Sequence, residues 1–456
     1  MELSKDFVIC GAGIAGVSAA YFLSMRNGVK NVLLIDENPP LSLTSNHSTE
    51  CYRNWWPGPG NAMVALMNRS VDLMEELALE SHNVFHLNRR GYLYLTADSE
   101  KIPPMEKNAS QISQLGAGVL RIHKGVYDDP NYVPVQSDGY SNLLTGADLI
   151  LNPDLLHRWF PYVSDQAKAA LHVRRAGWLS AQQLGMYLLE QARLHGVEYN
   201  QNRMINVTTR RGRVHSVMLE DGTHISTKNL ILAAGPFLTQ ASEMAGIELP
   251  VYSERHLKVA INDHLAVVDR DAPMLIWTDP QMLNWDDEER EYLLAEESEH
   301  WLLDELPAGV HTRPEGGKDS QIILMLWEYM NEPVVPVFPV PLDERYPEIV
   351  LRGLARMLPG MRSYFTRLPR PTIDGGYYIK TRENRPLIGR LPLEGLFLIG
   401  ALSGFGIMAA CGAGELLVAH VLKKPLPAYA SAFKLERYQD PVYQRLLDQW
   451  GESGQL

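Results

Sequence analysis

The 456 residues amount to roughly three domain-equivalents, and with 45% hydrophobic and 21% charged residues they exclude a disordered, fibrous or disulfide-stapled miniprotein. Net charge is −12 with no basic block, which removes the electrostatic footprint of a nucleic-acid binder. Three scattered cysteines (Cys10, Cys51, Cys411) without a CxxC pair argue against a disulfide framework or a structural metal site, and fit a reducing, cytoplasmic setting. No apolar run approaches the roughly 20 residues that span a bilayer, so no transmembrane segment is expected.

Phe7–Cys10 reads as a strand, Gly11-Ala-Gly13-Ile14-Ala15-Gly16 as a tight turn, and Val17 to Met25 as a helix. Asn31 to Asp36 is a second apolar run ending in a carboxylate twenty residues after Gly16, which completes a βαβ unit. Gly11 permits the turn, Gly13 lets a pyrophosphate approach the backbone, and Gly16 lets helix and strand pack closely. Asp36 accepts hydrogen bonds from a ribose and disfavours a 2′-phosphate, which leaves FAD or NAD. After Asp36 the strand-helix alternation of an NAD dehydrogenase stops. The stretch Leu41 to Thr49, with Thr44, Ser45, His47 and Ser48, is polar and hydroxyl-rich, suited to a second phosphate or a flavin edge and otherwise a plain surface loop.

Further along, Met63 to Leu79 reads as a helix, and residues 91–97, 251–262 and 321–329 alternate as strands of an antiparallel sheet. Ala181 to Leu194 is an amphipathic helix, followed by strands Met204 to Thr209, Arg213 to Leu219 and Leu230 to Ala234, with Gly212 and Asp221-Gly222 at hairpin turns. Alternation from Tyr252 places His256, Lys258 and His264 on one face. They read either as a solvated face or as the source of a cation that assists oxygen reduction. Trp285 to Glu305 is acidic and reads as a solvated helical excursion with one buried face, or else a lid or docking site. Gly404 and Gly406 precede a helix expected from Ile407 to Leu422, whose positive end suits the electron-rich side of a flavin.

The GAGIAG unit, the loop leading to Tyr52-Arg53, the strand ending Ala234-Gly235-Pro236, the run Gly376-Tyr-Tyr378-Ile-Lys-Thr381 to Gly389, and Gly404-Phe405-Gly406-Ile407-Met408 together resemble the FAD-dependent D-amino-acid oxidase family. The branch holding glycine oxidase, monomeric sarcosine oxidase and dimethylglycine dehydrogenase is the most similar. The resemblance implies an α/β chain, α+β overall. Its Rossmann-like FAD-binding domain is discontinuous (1–90, 150–245, 355–456), and its substrate domain is built on a mainly antiparallel sheet (91–149, 246–354). It further implies FAD contacts from Glu37, Val207, Ala234, Gly235 and the Gly404 to Met408 run. The implied reaction is oxidation of a C–N bond by hydride transfer to flavin N5, on a small amine or amino acid, with oxygen, a quinone or an electron-transfer protein as acceptor.

Arg53 resembles that branch's substrate-carboxylate arginine, beside the alternative of an arginine paired with a neighbouring acid, and Tyr378 resembles its active-site tyrosine. Two positions depart from the pattern. Gly376 stands where sarcosine oxidase attaches flavin through a cysteine, which implies non-covalent FAD. Met408 replaces a carboxylate-binding lysine, so the substrate is expected to be larger or to lack a simple α-carboxylate. His47 invites comparison with the flavin-carrying histidine of dimethylglycine dehydrogenase, although its neighbours differ. A 2-hydroxyacid or polyol dehydrogenase of the same fold, or a flavoprotein without turnover, is the alternative.

Overall fold

A computed structural model describes residues 3–136 and 139–448. The βαβ unit forms from strand Phe7–Cys10, helix Ile14–Ser24 and strand Val32–Asp36. The helix is apolar on every side, and only Ala15 of its eleven residues is not buried, as a core helix requires. These strands sit inside a six-stranded sheet in the order Val197–Gln201, Val32–Asp36, Phe7–Cys10, Leu230–Leu232, Leu396–Gly400, Leu387–Arg390. All its pairings are parallel except the last. Helix Gly406–Val421 packs against Ile14–Ser24 and against Ala62–Glu80, where Gly412 N–H donates to Ser70 and Ser18 donates to the Ala410 carbonyl. Ser403–Val421 is long and apolar enough to cross a membrane, contrary to the reading from the sequence alone, and 78% of that window is buried inside the protein.

A four-stranded sheet joins Leu3–Ser4, His224–Ser226, Arg213–Leu219 and Met204–Arg210. Its Arg211-Gly212 turn has positive φ at both positions (52° and 75°), the twist that two-residue hairpins require.

The largest sheet has nine strands, in the order Thr372–Lys380, Tyr252–Asn262, Ile322–Leu326, His311–Pro314, Met274–Trp277, Tyr92–Thr96, Ala169–Val173, Ala147–Ile150, Leu120–His123. It is antiparallel except for two pairs, Met274–Trp277 with Tyr92–Thr96 and Leu120–His123 with Ala147–Ile150. Sheet membership does not follow the domain limits expected at 150 and 355, because Ala169–Val173 and Thr372–Lys380 both belong to this sheet. Thr372–Lys380 is held by Tyr252–Asn262, more than a hundred positions away, and Ala169–Val173 by Tyr92–Thr96 as well as by its neighbour Ala147–Ile150, pairings that local patterning does not reveal. His264 is corrected as well. The strand ends at Asn262, and His264 lies exposed in the following turn rather than on the face of His256 and Lys258. The acidic excursion folds as helix Asp287–Ala295, closed by a capping box between Asp286 and Glu289, and a 3-10 turn Glu297–Leu303. Leu293 and Leu302 are its buried face, and Arg352 ties it down by bonding Glu289 and stacking 4.0 Å over Trp285.

Candidate active site

The glycine turn divides its work by position. A Cβ on Gly16 would lie 1.8 Å from the Gly11 carbonyl, and one on Gly11 (φ +108°) 2.3 Å from the Ala233 carbonyl, so both serve close packing. A Cβ on Gly13 would meet only the Ser45 hydroxyl, at 3.3 Å, which leaves that backbone open to a ligand. No side chain of the Gly13 cap closes the helix N-terminus, and the Ile14 N–H donates to Ser45 Oγ at 3.0 Å. Asp36 fastens the turn by accepting from the Ala12 N–H (2.7 Å) and the Asn38 N–H (2.9 Å). Burial raises its pKa, and those two hydrogen bonds oppose the rise.

A cleft runs from here between the two sheets. It is lined by Gly11, Gly13, Ile14, Ala15, Asp36, Thr44, Ser45, Ala234, Gly235 and Gly406 among others, with Glu37 and Met204 in an adjoining lobe. Gly16 lies behind the turn as packing. Val207 is corrected: it packs with Val214 and Val217 in the four-stranded sheet's core, and Met204, three residues earlier, is the side chain that reaches the lobe. At the far end Gly404 and Phe405 lead into the N-terminus of Gly406–Val421, which also has no side-chain cap. Phe405 meets Trp56 edge-on at 5.0 Å, and Ile407 and Met408 are buried in the main core. Two helix N-termini lining one cleft, neither closed by its own cap residue, with free backbone at Gly13 and hydroxyls from Thr44 and Ser45, fit FAD.

The hydroxyl-rich loop is tied from the nine-stranded sheet by charged groups. Lys258 Nζ donates to the Ser48 carbonyl (2.8 Å), Arg313 donates to the Thr49 carbonyl (2.8 Å), and His47 Nδ1 lies 2.6 Å from Asp374 Oδ1. Burial lowers the Lys258 pKa, and Asp374, 3.6 Å away, restores part of it. A Cβ on Gly376 would sit 3.3 Å from Thr44, so this glycine abuts the same loop.

Register places a set of polar side chains on the sheet face that meets the loop at residues 44–49. Glu254, His256 and Lys258 stand opposite Tyr378, Gly376 and Asp374. Continuing across the sheet, Leu326 pairs with His311, His311 with Ile276, and Ile276 with Tyr94, while Tyr92 pairs with Met274, so His311, Tyr94 and Tyr92 share that face. Glu328 follows Leu326 at the same parity. The His256 ring stacks on Tyr378 at 3.8 Å, with Nε2 3.1 Å from Glu254 and Nδ1 3.6 Å from Glu328. Glu254 also accepts from Lys380 at 2.9 Å. Burial, and then the Glu328 charge, raise the Tyr378 pKa, so its hydroxyl is protonated at neutral pH. Arg53, 4% exposed, comes from the short strand Cys51–Arg53 paired with Ala176–Trp178. Its guanidinium stacks 4.4 Å over Trp56 and lies 5.7 Å from the Tyr92 ring, and its Nε donates to the Trp55 carbonyl.

Glu254, Glu328, His311, Tyr92 and Tyr94 were not foreseen. Alternation through 321–329 does group Glu328 with Leu324 and Leu326, but it does not say which face meets the loop at residues 44–49.

The family model described as FAD dependent oxidoreductase (DAO) matches residues 6–420. Sarcosine oxidase subunit beta of Rhizobium meliloti is 23% identical over 248 residues, 54% of this chain and 53% of that protein. Monomeric sarcosine oxidase of an Arthrobacter species is 35% identical over 86 residues, 18% of this chain and 22% of that protein. The matches thus span about half, or less, of these curated relatives' own lengths. Among solved structures, L-proline dehydrogenase from P. horikoshii superposes with a TM-score of 0.73 at 18% identity, covering 96% of this chain and 99% of that one. Glycine oxidase from Geobacillus kaustophilus gives 0.72 at 15% identity, covering 95% and 99%. At these identities the superpositions speak for the fold.

Proposed function

From the premise that this chain belongs to the DAO family of FAD-dependent oxidoreductases, we propose that it oxidises the C–N bond of an amino acid or of a secondary or N-methyl amine. The observation that carries the reading is that one loop serves both regions: Thr44 and Ser45 line the dinucleotide cleft, while Ser48 and Thr44 meet Lys258 and Gly376 on the sheet face that also bears Tyr378 and His256. FAD, when bound, supplies the hydride acceptor. The substrate loses a hydride from carbon while the nitrogen lone pair closes the C=N bond, and water then hydrolyses the imine to a carbonyl compound and an amine.

The protein's share is binding and protonation. Arg53 pairs with a substrate anion, and its guanidinium is pre-aimed by the Trp56 stack and the Trp55 carbonyl. Tyr378, protonated and fixed by the His256 ring, offers a hydroxyl donor. The amine must arrive neutral, and a mostly desolvated site favours that form. Lys258 Nζ, pinned beside the loop by Ser48 and Asp374, is the group proposed to release a proton during reoxidation by oxygen, a quinone or an electron-transfer protein, since burial eases that loss. FAD is proposed to be non-covalent, because Gly376 offers no nucleophile beside the loop.

An anaerobic bleaching screen over N-methyl, secondary, D- and L-amino acids tests the reaction. At least one should reduce the flavin and release an amine. Turnover of a hydroxy acid or polyol alone would overturn the reading in favour of an alcohol dehydrogenase. Acid precipitation should leave a colourless pellet, and fluorescence kept by the pellet would contradict non-covalent binding.

A further inference from the structure

Two carboxylates on this sheet face, Glu254 and Glu328, have unequal commitments. Glu254 is fully used, accepting from Lys380 Nζ at 2.9 and 3.1 Å and lying 3.1 Å from His256 Nε2. Glu328 is not. Among the described residues its nearest ionic neighbour is His256 Nδ1 at 3.6 Å, beyond hydrogen-bond reach, and its side chain keeps 23% exposure. Its charge is felt at Tyr378 and at His311, and the Arg53 charge acts on the same His311 in the opposite sense. Arg53 and Glu328 are thus opposite charges disposed about one patch of the sheet.

A partly exposed carboxylate with no cation within hydrogen-bond reach is free to pair with one that a ligand brings. That cation is not the reacting nitrogen, because oxidation of the C–N bond requires a neutral amine and an adjacent carboxylate would stabilise its ammonium form. Met408, apolar and buried, adds no positive charge to compete. We propose that Glu328 receives a second, basic group of the substrate, so that the enzyme's substrate class is amino acids or N-alkyl amino acids carrying a distal ammonium or guanidinium, with Arg53 holding the carboxylate end. This rests on the amine-oxidation reading and adds the identity of the far end of the substrate.

The test separates binding from turnover. On the FAD-loaded protein, calorimetry compares ω-guanidino acids of increasing chain length with fatty acids of equal length, neither of which carries an α-amine. At least one guanidino acid should bind about tenfold tighter or better than its neutral match. Glu328→Gln should remove that preference while leaving the neutral acid's Kd within about twofold. If this variant does not fold, methylguanidinium on the wild-type protein decides instead, and it should displace the guanidino acid but not the fatty acid.

Equal affinities along the whole series overturn the proposal. So does Glu328→Gln slowing the bleaching by neutral and basic amino acids alike, which would make Glu328 a general base. Preferential guanidino-acid binding with no amine able to bleach the flavin leaves this proposal standing and sinks the oxidation reading. Bleaching by neutral amino acids without preference for basic ones does the reverse.

Discussion

The glycine turn at residues 11–16 and the polar sheet face around His256 do comparable jobs, each presenting a precise surface to a small molecule, but they are built differently. The turn uses backbone: three glycines and one carboxylate within 26 residues shape it, and Gly16 and Gly11 are so closely packed that a Cβ would fall 1.8 Å and 2.3 Å from neighbouring carbonyl oxygens. The sheet face uses side chains. Glu254, His256, Glu328, His311, Tyr378, Tyr92 and Tyr94 arrive from five strand regions spread over almost 290 positions, and only the register aligns them. A surface made of backbone is intolerant of small changes and serves one ligand shape. A surface made of side chains is replaceable piece by piece, and it is where the proposed substrate contacts lie.

Gly16→Val tests the intolerant region and should have the largest effect. It should lose FAD and more than about 4 kcal/mol of stability, read by flavin absorbance and by chemical unfolding. Gly13→Val, which meets only the Ser45 hydroxyl, should unfold near the wild-type denaturant concentration yet bind no flavin. If both variants fold equally well, the division between packing and access at the turn is wrong.

On the sheet face Glu254→Gln should cost about 3 kcal/mol by leaving partly buried Lys380 and buried His256 without their anion. Burial pushes the Glu254 carboxyl up, and the hydrogen bonds from His256 and Lys380 outweigh it, so its folded pKa lies below the ordinary value. The stability it contributes is therefore complete above its unfolded pKa of about 4.3 and is lost as pH falls through the folded value. Unfolding of the wild-type protein should show that acid-side loss, and Glu254→Gln should reduce it.

Arg53→Met should lower kcat/KM for the best substrate tenfold to a hundredfold, about 1.5 to 3 kcal/mol, with flavin content unchanged. Loss of flavin in this variant would instead make Arg53 part of the cofactor's support. Asp374→Asn should be mildest. Asp374 is half-exposed, its carboxyl lowered by His47 and Lys258 against the opposing pull of burial, and after solvent screening the change should stay within about 1 kcal/mol. The measurable effect should be faster flavin dissociation as the loop loses one tie.

The same contrast explains what could be read from the amino-acid sequence. The first 36 residues are legible because the turn, the helix and the terminal Asp36 are neighbours in the chain. Helix Ala181–Leu194 and strand Arg213–Leu219 fall where their periodicity puts them. Sheet membership is not legible, since Thr372–Lys380 joins its sheet through Tyr252–Asn262 and Ala169–Val173 through Tyr92–Thr96 as well as the nearby Ala147–Ile150. Val207 and Met204 show a finer limit. Both are buried on one strand, and only the packing of two sheets decides that Met204 meets the cleft. His264 fails for a local reason, as Asp263 turns the chain and accepts from the Val267 and Val268 N–H groups.

Helix Gly406–Val421 has a consequence for how the protein is made. Its hydropathy is that of a membrane segment, and the surfaces that cover it, Ile14–Ser24 and Ala62–Glu80, are both translated before it. During synthesis this sticky helix therefore meets partners already in place and need not wait exposed to chaperones or to a translocon. The N-terminus that closes the cofactor cleft belongs to the same helix, so flavin capture comes after translation of residue 406 and completes the core at the moment it completes the site. A circular permutant that begins at Ser403 would reverse this order and present the helix to the cell before anything could bury it.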